Sequence, residues 1–342
     1  MLVNVSVYND AALFDALRPE WNDLVRRSLA NRIFNTWEWQ SVWWKVYQPG
    51  SLWVLACRDE AGRLLGLAPW FIRSRADGRR VVAAIGCREV TDYIDIIVDG
   101  EQAEAVAECL AAYAASHTDR FDEIELCNLP EQSVSHRLLP RLLEQRGFVT
   151  EIAHEDVCPI IELPDTWDGY LALLDKKQRH EVRRKLRRAQ GTGETLDWYI
   201  VGQAHDLDAE IGSFLKLMAA SDADKARFLA DEKNTAFFRA IIPALFGAGW
   251  LQLAFLTVDN KAAAAYLNFD YDGHILVYNS GLLQADYGHL SLGMVLLAHL
   301  IRHAIESGHQ VFDFLQGGET YKYRMGGQDT HVYNLTARPA GA

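Results

Sequence analysis

One order of helical and strand-like patterns runs through this 342-residue chain twice, and that repeat restricts the fold more than any other feature. In the first pass, 3.6-residue periodicity predicts helices over about 10–30 and 37–47. Three strand-like runs follow, Leu52–Arg58, Leu64–Ile72 and Val81–Ile85, separated by turn signals at Asp59–Gly62 and Asp77-Gly78. A fourth run, Tyr93–Val98, leads to a helix at about 101–116, a period-two strand at Glu123–Cys127 and a short helix over 134–146 stopped by Gly147.

The second pass repeats this. Helices are expected over 167–190, 207–220 and 232–246, then strands Leu251–Val258, Ala262–Tyr271 and His274–Ser280, with turns at Asp259-Asn260 and Asp272-Gly273. Asp-Gly between alternating runs is a strong hairpin signal, because both turn residues must adopt positive φ. A helix from Ser291 to Ser307 has Ser at its N-cap and Gly308 past its end. Strand Val311–Leu315, a short Glu319–Met325 segment and Val332–Ala337 close the pass. Helices, an antiparallel meander and a helix crossing to one more strand make an α/β unit with a mixed α+β sheet, here in two tandem copies. At roughly 150 residues per domain the length also gives two. Pro159 and Pro164 bracket an apolar run, so the expected domains are 1–155 and 156–342.

Charge narrows the partners. The chain has 34 Lys+Arg against 46 Asp+Glu, net −12, which argues against bulk binding to nucleic acid or anionic membrane. One stretch runs the other way: Lys176 to Arg188 holds eight Lys/Arg and a single acid, Glu181. On a helix, Val182, Leu186 and Ala189 make a thin apolar stripe, leaving either a solvated basic helix or a phosphate-sized anion site at Arg179 and Arg183. The N-terminus lacks a basic segment followed by an apolar core, and Leu292–Ile301 is about half a bilayer span. A cytoplasmic protein without membrane insertion is expected. The five cysteines are scattered without C-x-x-C spacing, so they read as small buried hydrophobes rather than a disulfide framework or a metal site.

The two passes differ at one junction. Before the long helix of the second pass lies Gly281-Leu282-Leu283-Gln284-Ala285-Asp286-Tyr287-Gly288-His289-Leu290-Ser291-Leu292-Gly293-Met294. Glycines and a capping Ser at a strand-to-helix junction leave backbone N–H groups at a positive dipole end, which suits a pyrophosphate as well as an ordinary turn. The first-pass counterpart, Asp99-Gly100-Glu101-Gln102-Ala103-Glu104, carries three acids that would repel one. After the next strand, Asp313, Glu319, Tyr321 and Lys322 cluster beside Gly317-Gly318, offering a base, a hydroxyl and a cation, or a solvated loop. A third cluster, Phe34, Trp37, Trp39, Trp43 and Trp44, reads as core or as the wall of a cleft.

These residues resemble a family. Phe34…Trp39…Trp43-Trp44, Thr91-Asp92-Tyr93, the basic run from Lys176 and Phe312-Asp313-Phe314-Leu315…Gly318-Glu319…Tyr321-Lys322 look like the FemAB-like branch of the GNAT acyltransferase superfamily, notably its CelD-like, cellulose-biosynthesis-associated members. The resemblance spans nearly the whole chain. It implies two tandem GNAT-like domains with the acyl-donor site in the second, using acetyl-CoA or another acyl-CoA as co-substrate and no metal. Coenzyme A would be held by Tyr278, Ser280, His289, Leu290, Ser291, Leu292, Gly293 and Met294. The usual Arg/Gln-x-x-Gly-x-Gly/Ala pattern is present only loosely, with no basic first residue.

The implied chemistry is attack of an amine on a thioester, with a backbone N–H of the Tyr278–Gly281 strand polarising the carbonyl. Asp313 and Glu319 are the expected bases and Tyr321 the acid for the thiolate; Lys322, Arg179, Arg183, Trp39 and Asp92 are the expected substrate contacts. The acceptor class is a small amine, an amino sugar or a polysaccharide precursor. Two alternatives stand beside this: an aminoacyl-tRNA-dependent FemAB-type transferase, which would bring in tRNA, and a non-catalytic module of exopolysaccharide assembly.

Overall fold

A computed structural model describes residues 3–87, 90–190, 194–283 and 287–341 of the chain. It divides into unit 1, Met1–Val157 with Thr330–Ala342, and unit 2, Cys158–Asp329. The expected split at 155/156 thus falls near the first crossing, but the last residues return to unit 1 rather than completing the second copy.

Unit 1 runs β1 (Asn4–Tyr8), α1 (Leu13–Arg27), α2 (Trp37–Tyr47), β2 (Ser51–Leu52), β3 (Val54–Arg58), β4 (Leu64–Ala68), β5 (Trp70–Ser74), β6 (Arg80–Ala84) and β7 (Ile97–Val98). It continues through α3 (Ala103–Ala115), β8 (Glu123–Pro130), α4 (Val134–Arg137), α5 (Leu139–Glu144) and the first part of β9 (Phe148–Glu162). The single strand expected over Leu64–Ile72 is two. β4 pairs with β3 and β7, whereas β5 pairs with β2 and β6, and the chain changes ladders at Pro69, which has no N–H to donate. Parallel pairing of β6 with β8 also brings Cys87 and Cys127 together as a disulfide, against the reading that no cysteines pair. Sequence spacing carried no sign of it, because the two are 40 residues apart.

Most of the expected strand Tyr93–Val98 is instead irregular, and Asp95 is the reason. Its buried carboxylate accepts N–H bonds from Ile96 at 2.8 Å, Val134 at 2.8 Å and Ser135 at 2.9 Å, so the segment caps α4 rather than extending a ladder. Burial outweighs these bonds and pushes the Asp95 pKa up to about 6. A carboxyl raised above its unfolded value stabilises the fold most below about pH 4, and that contribution is lost as pH rises through about 6. Asp95→Asn should therefore flatten the pH dependence of unfolding between pH 4 and 7 by roughly 2–3 kcal/mol. Urea midpoints of both proteins across that range check this; parallel slopes would refute it.

Unit 2 takes the end of β9 and continues with α6 (Trp167–Leu173), α7 (Lys176–Gln190), β10 (Leu196–Ile200), α8 (Leu207–Ser221), α9 (Ala223–Ala230) and α10 (Glu232–Ala248). The predicted helix over 167–190 breaks where the Asp175 carboxylate accepts the Gln178 N–H and starts a new helix. The meander follows: β11 (Leu251–Val258), β12 (Lys261–Tyr271) and β13 (His274–Leu282), with Tyr271 opposite His274 across the Asp272-Gly273 turn. Then come α11 (Leu292–Glu306), β14 (Val311–Asp313), α12 (Thr320–Arg324) and β15 (Gln328–Pro339), whose later residues pair antiparallel with β8 in unit 1.

The strand order in unit 2 is β10-β11-β12-β13-β14-β9. Its neighbouring strands pair antiparallel except β13 with β14, which pair in parallel over His274–Leu276 and Val311–Asp313. The partnership ends there. β13 runs on to Leu282 while β14 turns away at Leu315, a left-handed residue at φ +56° whose N–H bonds the Asp313 carboxylate. α11 packs the apolar face of Val295, Leu296, Leu300 and Ile301 into the unit 2 core. Among the described residues no helix is long and apolar enough to cross a membrane, and no three metal-ligating side chains converge.

Candidate functional site

Where β13 outruns β14, unit 2 holds a cavity of about 360 Å³. It is lined by Ser291, Leu292, Gly293 and Met294 at the start of α11 and by Tyr266 of β12, Ser280 of β13 and Tyr321 of α12. Ser291 precedes the helix with left-handed φ +55°, and its side chain makes no capping bond. The capping role expected of it is therefore not filled; the residue lines the cavity, in a backbone conformation that costs of order 1 kcal/mol outside glycine.

The hydroxyls of Tyr266 and Tyr321 have no hydrogen-bond partner among the described residues. Burial raises the pKa of both phenols far above the ordinary tyrosine value, and for Tyr321 the neighbouring Tyr266 and Glu319 add to this. Both stay protonated. They can donate hydrogen bonds into the cavity.

The cation at this cavity is Lys185, a member of the basic run that sequence reasoning did not single out. It stands on the inner side of α7 near Val182 and Ala189, with its side chain 16% exposed and Nζ 2.9 Å from Met294 Sδ. Arg183 points to solvent and does not line the cavity. Arg179 turns back on its own helix start, donating from Nη2 to the Leu174 carbonyl at 3.0 Å with its Nε buried, so it holds α6 to α7 rather than a substrate.

Comparison with known proteins identifies the fold that carries this cavity. A family model described as an acetyltransferase (GNAT) domain matches residues 176–323, a segment that contains every residue lining the cavity. Residues 176–323 are thus GNAT-like in sequence. Among solved structures, FemX is 12% identical, covering 93% of this chain and 95% of its own at a TM-score of 0.64. L-PGS from Bacillus licheniformis is 10% identical over 95% and 92%, TM-score 0.56. A tandem GNAT protein from the clavulanic acid biosynthesis pathway is 13% identical over 99% of each chain, TM-score 0.52. No curated protein matches. The chain therefore has a two-domain, FemAB-like GNAT fold and carries an acyltransferase-type domain.

Within the GNAT domain the expected residues separate. Ser280, Ser291, Leu292, Gly293, Met294 and Tyr321 meet at the cavity. Leu290 is buried in the core, and the Tyr278 ring packs between Phe238 and Phe269. His289 contributes backbone to the turn Gly288–Leu290; its side chain, like Gln284, Ala285 and Asp286, lies outside the described residues. Asp313 is buried with Oδ1 on the Leu315 N–H, while Glu319 is exposed and pairs with Lys322 Nζ at 2.9 Å.

Three expectations are corrected. Lys322 is 2% exposed, and its ammonium is engaged by the carbonyls of Leu315, Gln316 and Gly317 at 3.1, 2.6 and 2.9 Å, so it holds a loop instead of facing the cavity. Trp39 is fully buried in unit 1, donating to Thr91 Oγ1 at 3.0 Å and packing edge-on to Phe34; it has no face for a ligand. Asp92 lies half-buried in the same unit. Most of the β13 backbone N–H groups expected at the carbonyl are already bound. Ser280 N–H bonds Asn279 Oδ1, Leu282 N–H bonds Ser221 Oγ, and Asn279 and Gly281 face the β12 ladder, while the register with β12 shifts at Tyr278.

Sequence reasoning also missed Tyr266 and Lys225. Lys225, at the start of α9, donates to Ser280 O at 2.6 Å and Ser280 Oγ at 3.1 Å. Burial holds its pKa below the usual lysine value, against the opposing pull of Asp222 and Glu319. No local pattern marks it, since its partner is 55 residues away.

Proposed function

We propose that the chain transfers an acyl group from an acyl-CoA to the amine of a small molecule, amino sugar or polysaccharide precursor. The observation that carries this reading is the cavity itself, lined by the uncharged hydroxyls of Tyr266, Ser280 and Tyr321 together with a helix start and Lys185. A thioester fits that polarity. Its pyrophosphate would sit at the Gly288–Met294 backbone and Lys185, with the acyl carbonyl among the hydroxyls. The amine attacks the carbonyl carbon, the C–S bond breaks, and the proton lost by the amine passes through water to Glu319, an exposed carboxylate whose charge acts on both Lys225 and Tyr321. Tyr321 supports the departing sulfur by a hydrogen bond rather than by giving up its proton.

The test is binding followed by turnover. Acetyl-CoA at a hundredfold excess over Kd should stabilise the protein by about 2.7 kcal/mol in a thermal scan, and free thiol should appear when amines are added. Lys185→Met keeps the packing on Met294 but removes the charge, and should weaken acetyl-CoA binding about tenfold, the cost of one partly buried phosphate contact. Unchanged affinity in that variant would show that the anion sits elsewhere.

One observation favours a second reading. Arg183, Arg187 and Arg188 are exposed along the same helix that delivers Lys185 to the cavity, as an aminoacyl-tRNA donor would require. Salt-sensitive stabilisation by aminoacyl-tRNA, with none by coenzyme A, would select it.

A further inference from the structure

Ser280 and Lys225 carry an inference beyond ligand binding. An ammonium has three donors and no acceptor, so in the 3.1 Å contact Ser280 Oγ must accept and Lys225 must donate. The serine's own hydroxyl proton is then directed elsewhere, and among the described residues it meets no acceptor. Ser280 lines the cavity, and its backbone N–H is already bound to Asn279 Oδ1, so the hydroxyl is the donor this residue has left.

We propose that the Ser280 hydroxyl donates to the carbonyl oxygen of the acyl group being transferred, and that Lys225 fixes the hydroxyl in that orientation and strengthens it as a donor. The inference rests on the acyl-transfer reading above. When the amine attacks, the carbonyl oxygen gains negative charge, and a hydroxyl polarised by a neighbouring ammonium stabilises that charge more than it stabilises the neutral thioester. It adds a donor on a strand where the Ser280 and Leu282 N–H groups are already bound to side-chain oxygens. Ser280 would touch the reacting atoms; Lys225 acts through it and is a positioning residue.

Thiol release from acetyl-CoA, with glucosamine, lysine and spermidine as acceptors, and calorimetric acetyl-CoA binding test this on the full chain. S280A is expected to lower kcat roughly a hundredfold while KM and Kd stay within threefold. S280T, which keeps the hydroxyl, should recover to within tenfold of the parent. K225M should lower kcat about tenfold, and S280A/K225M should be no slower than S280A, because both changes remove one device. The inference is overturned if S280A turns over within threefold of the parent, if its loss lies in KM alone, or if the losses in the double variant multiply. A parent protein that binds no acetyl-CoA and releases no thiol would instead overturn the acyl-CoA reading itself, so the two failures are distinguishable.

Discussion

Replacing Lys322 by methionine is expected to destabilise unit 2 by roughly 3 kcal/mol or more and to abolish most turnover. The lysine is 2% exposed, and three successive carbonyls, Leu315, Gln316 and Gly317, point at its Nζ. They can converge because the chain is left-handed at Leu315, φ +56°, and again at Gly317, φ +107°. Without the ammonium these inward-turned carbonyls lose their donor where water has little access, and each such group costs about 1–3 kcal/mol. The Glu319 carboxylate loses its partner as well, but it is exposed and adds little. The loop they form leads directly into α12, which carries Tyr321 to the cavity, so a relaxed loop misplaces that phenol. A thermal scan of K322M should show the melting transition falling by about 6 °C or more. An unchanged melting temperature would mean that the lysine is free for substrate after all.

Gly281→Val should prevent unit 2 from folding properly, and Gly281→Ala should already cost about 3 kcal/mol. A Cβ on Gly281 would lie 2.5 Å from the Met218 N and 2.6 Å from the Leu217 carbonyl carbon. Those are backbone atoms of α8, which cannot swing aside as a flexible side chain could, so helix and strand must separate. Separation would break the Ser221 Oγ bond to the Leu282 N–H and draw Lys225 away from Ser280. Urea unfolding of G281A measures the cost, and a loss below about 0.5 kcal/mol would show that α8 can retreat. The glycine thus serves close packing, although the sequence placed it first in a run suited to cradling phosphate. Gly293, at the cavity wall, meets the flexible Leu282 side chain at 3.1 Å and tolerates more.

Local chemistry made much of unit 2 readable. The Asp-Gly turn pairs Tyr271 with His274 as its residues require, and the apolar periodicity of Leu292–Glu306 buries the expected face. Reading failed where a longer-range partner overruled a local pattern. Tyr93–Val98 alternates like a strand, yet most of it is claimed by the contacts of Asp95 with α4. Pro159 and Pro164 suggest a boundary near 156, yet the 15-residue strand β9 runs straight through that point. The basic run was legible as a helix, but which of its eight cations turns inward depends on what α7 packs against.

For the site the division is sharper. The sequence alone determined that a meander, a glycine-bearing junction and a long helix would put hydroxyls, helix-start N–H groups and basic residues in one half of the chain, because those features depend on residues close together along it. Which of those groups are available is a matter of three-dimensional partnership. Lys322 is consumed by carbonyls five to seven residues before it, Trp39 by Thr91 52 residues away, and Ser280 is oriented by a lysine 55 residues away. A hydrogen bond removes a donor from chemistry only once its acceptor is in place, and folding alone puts it there.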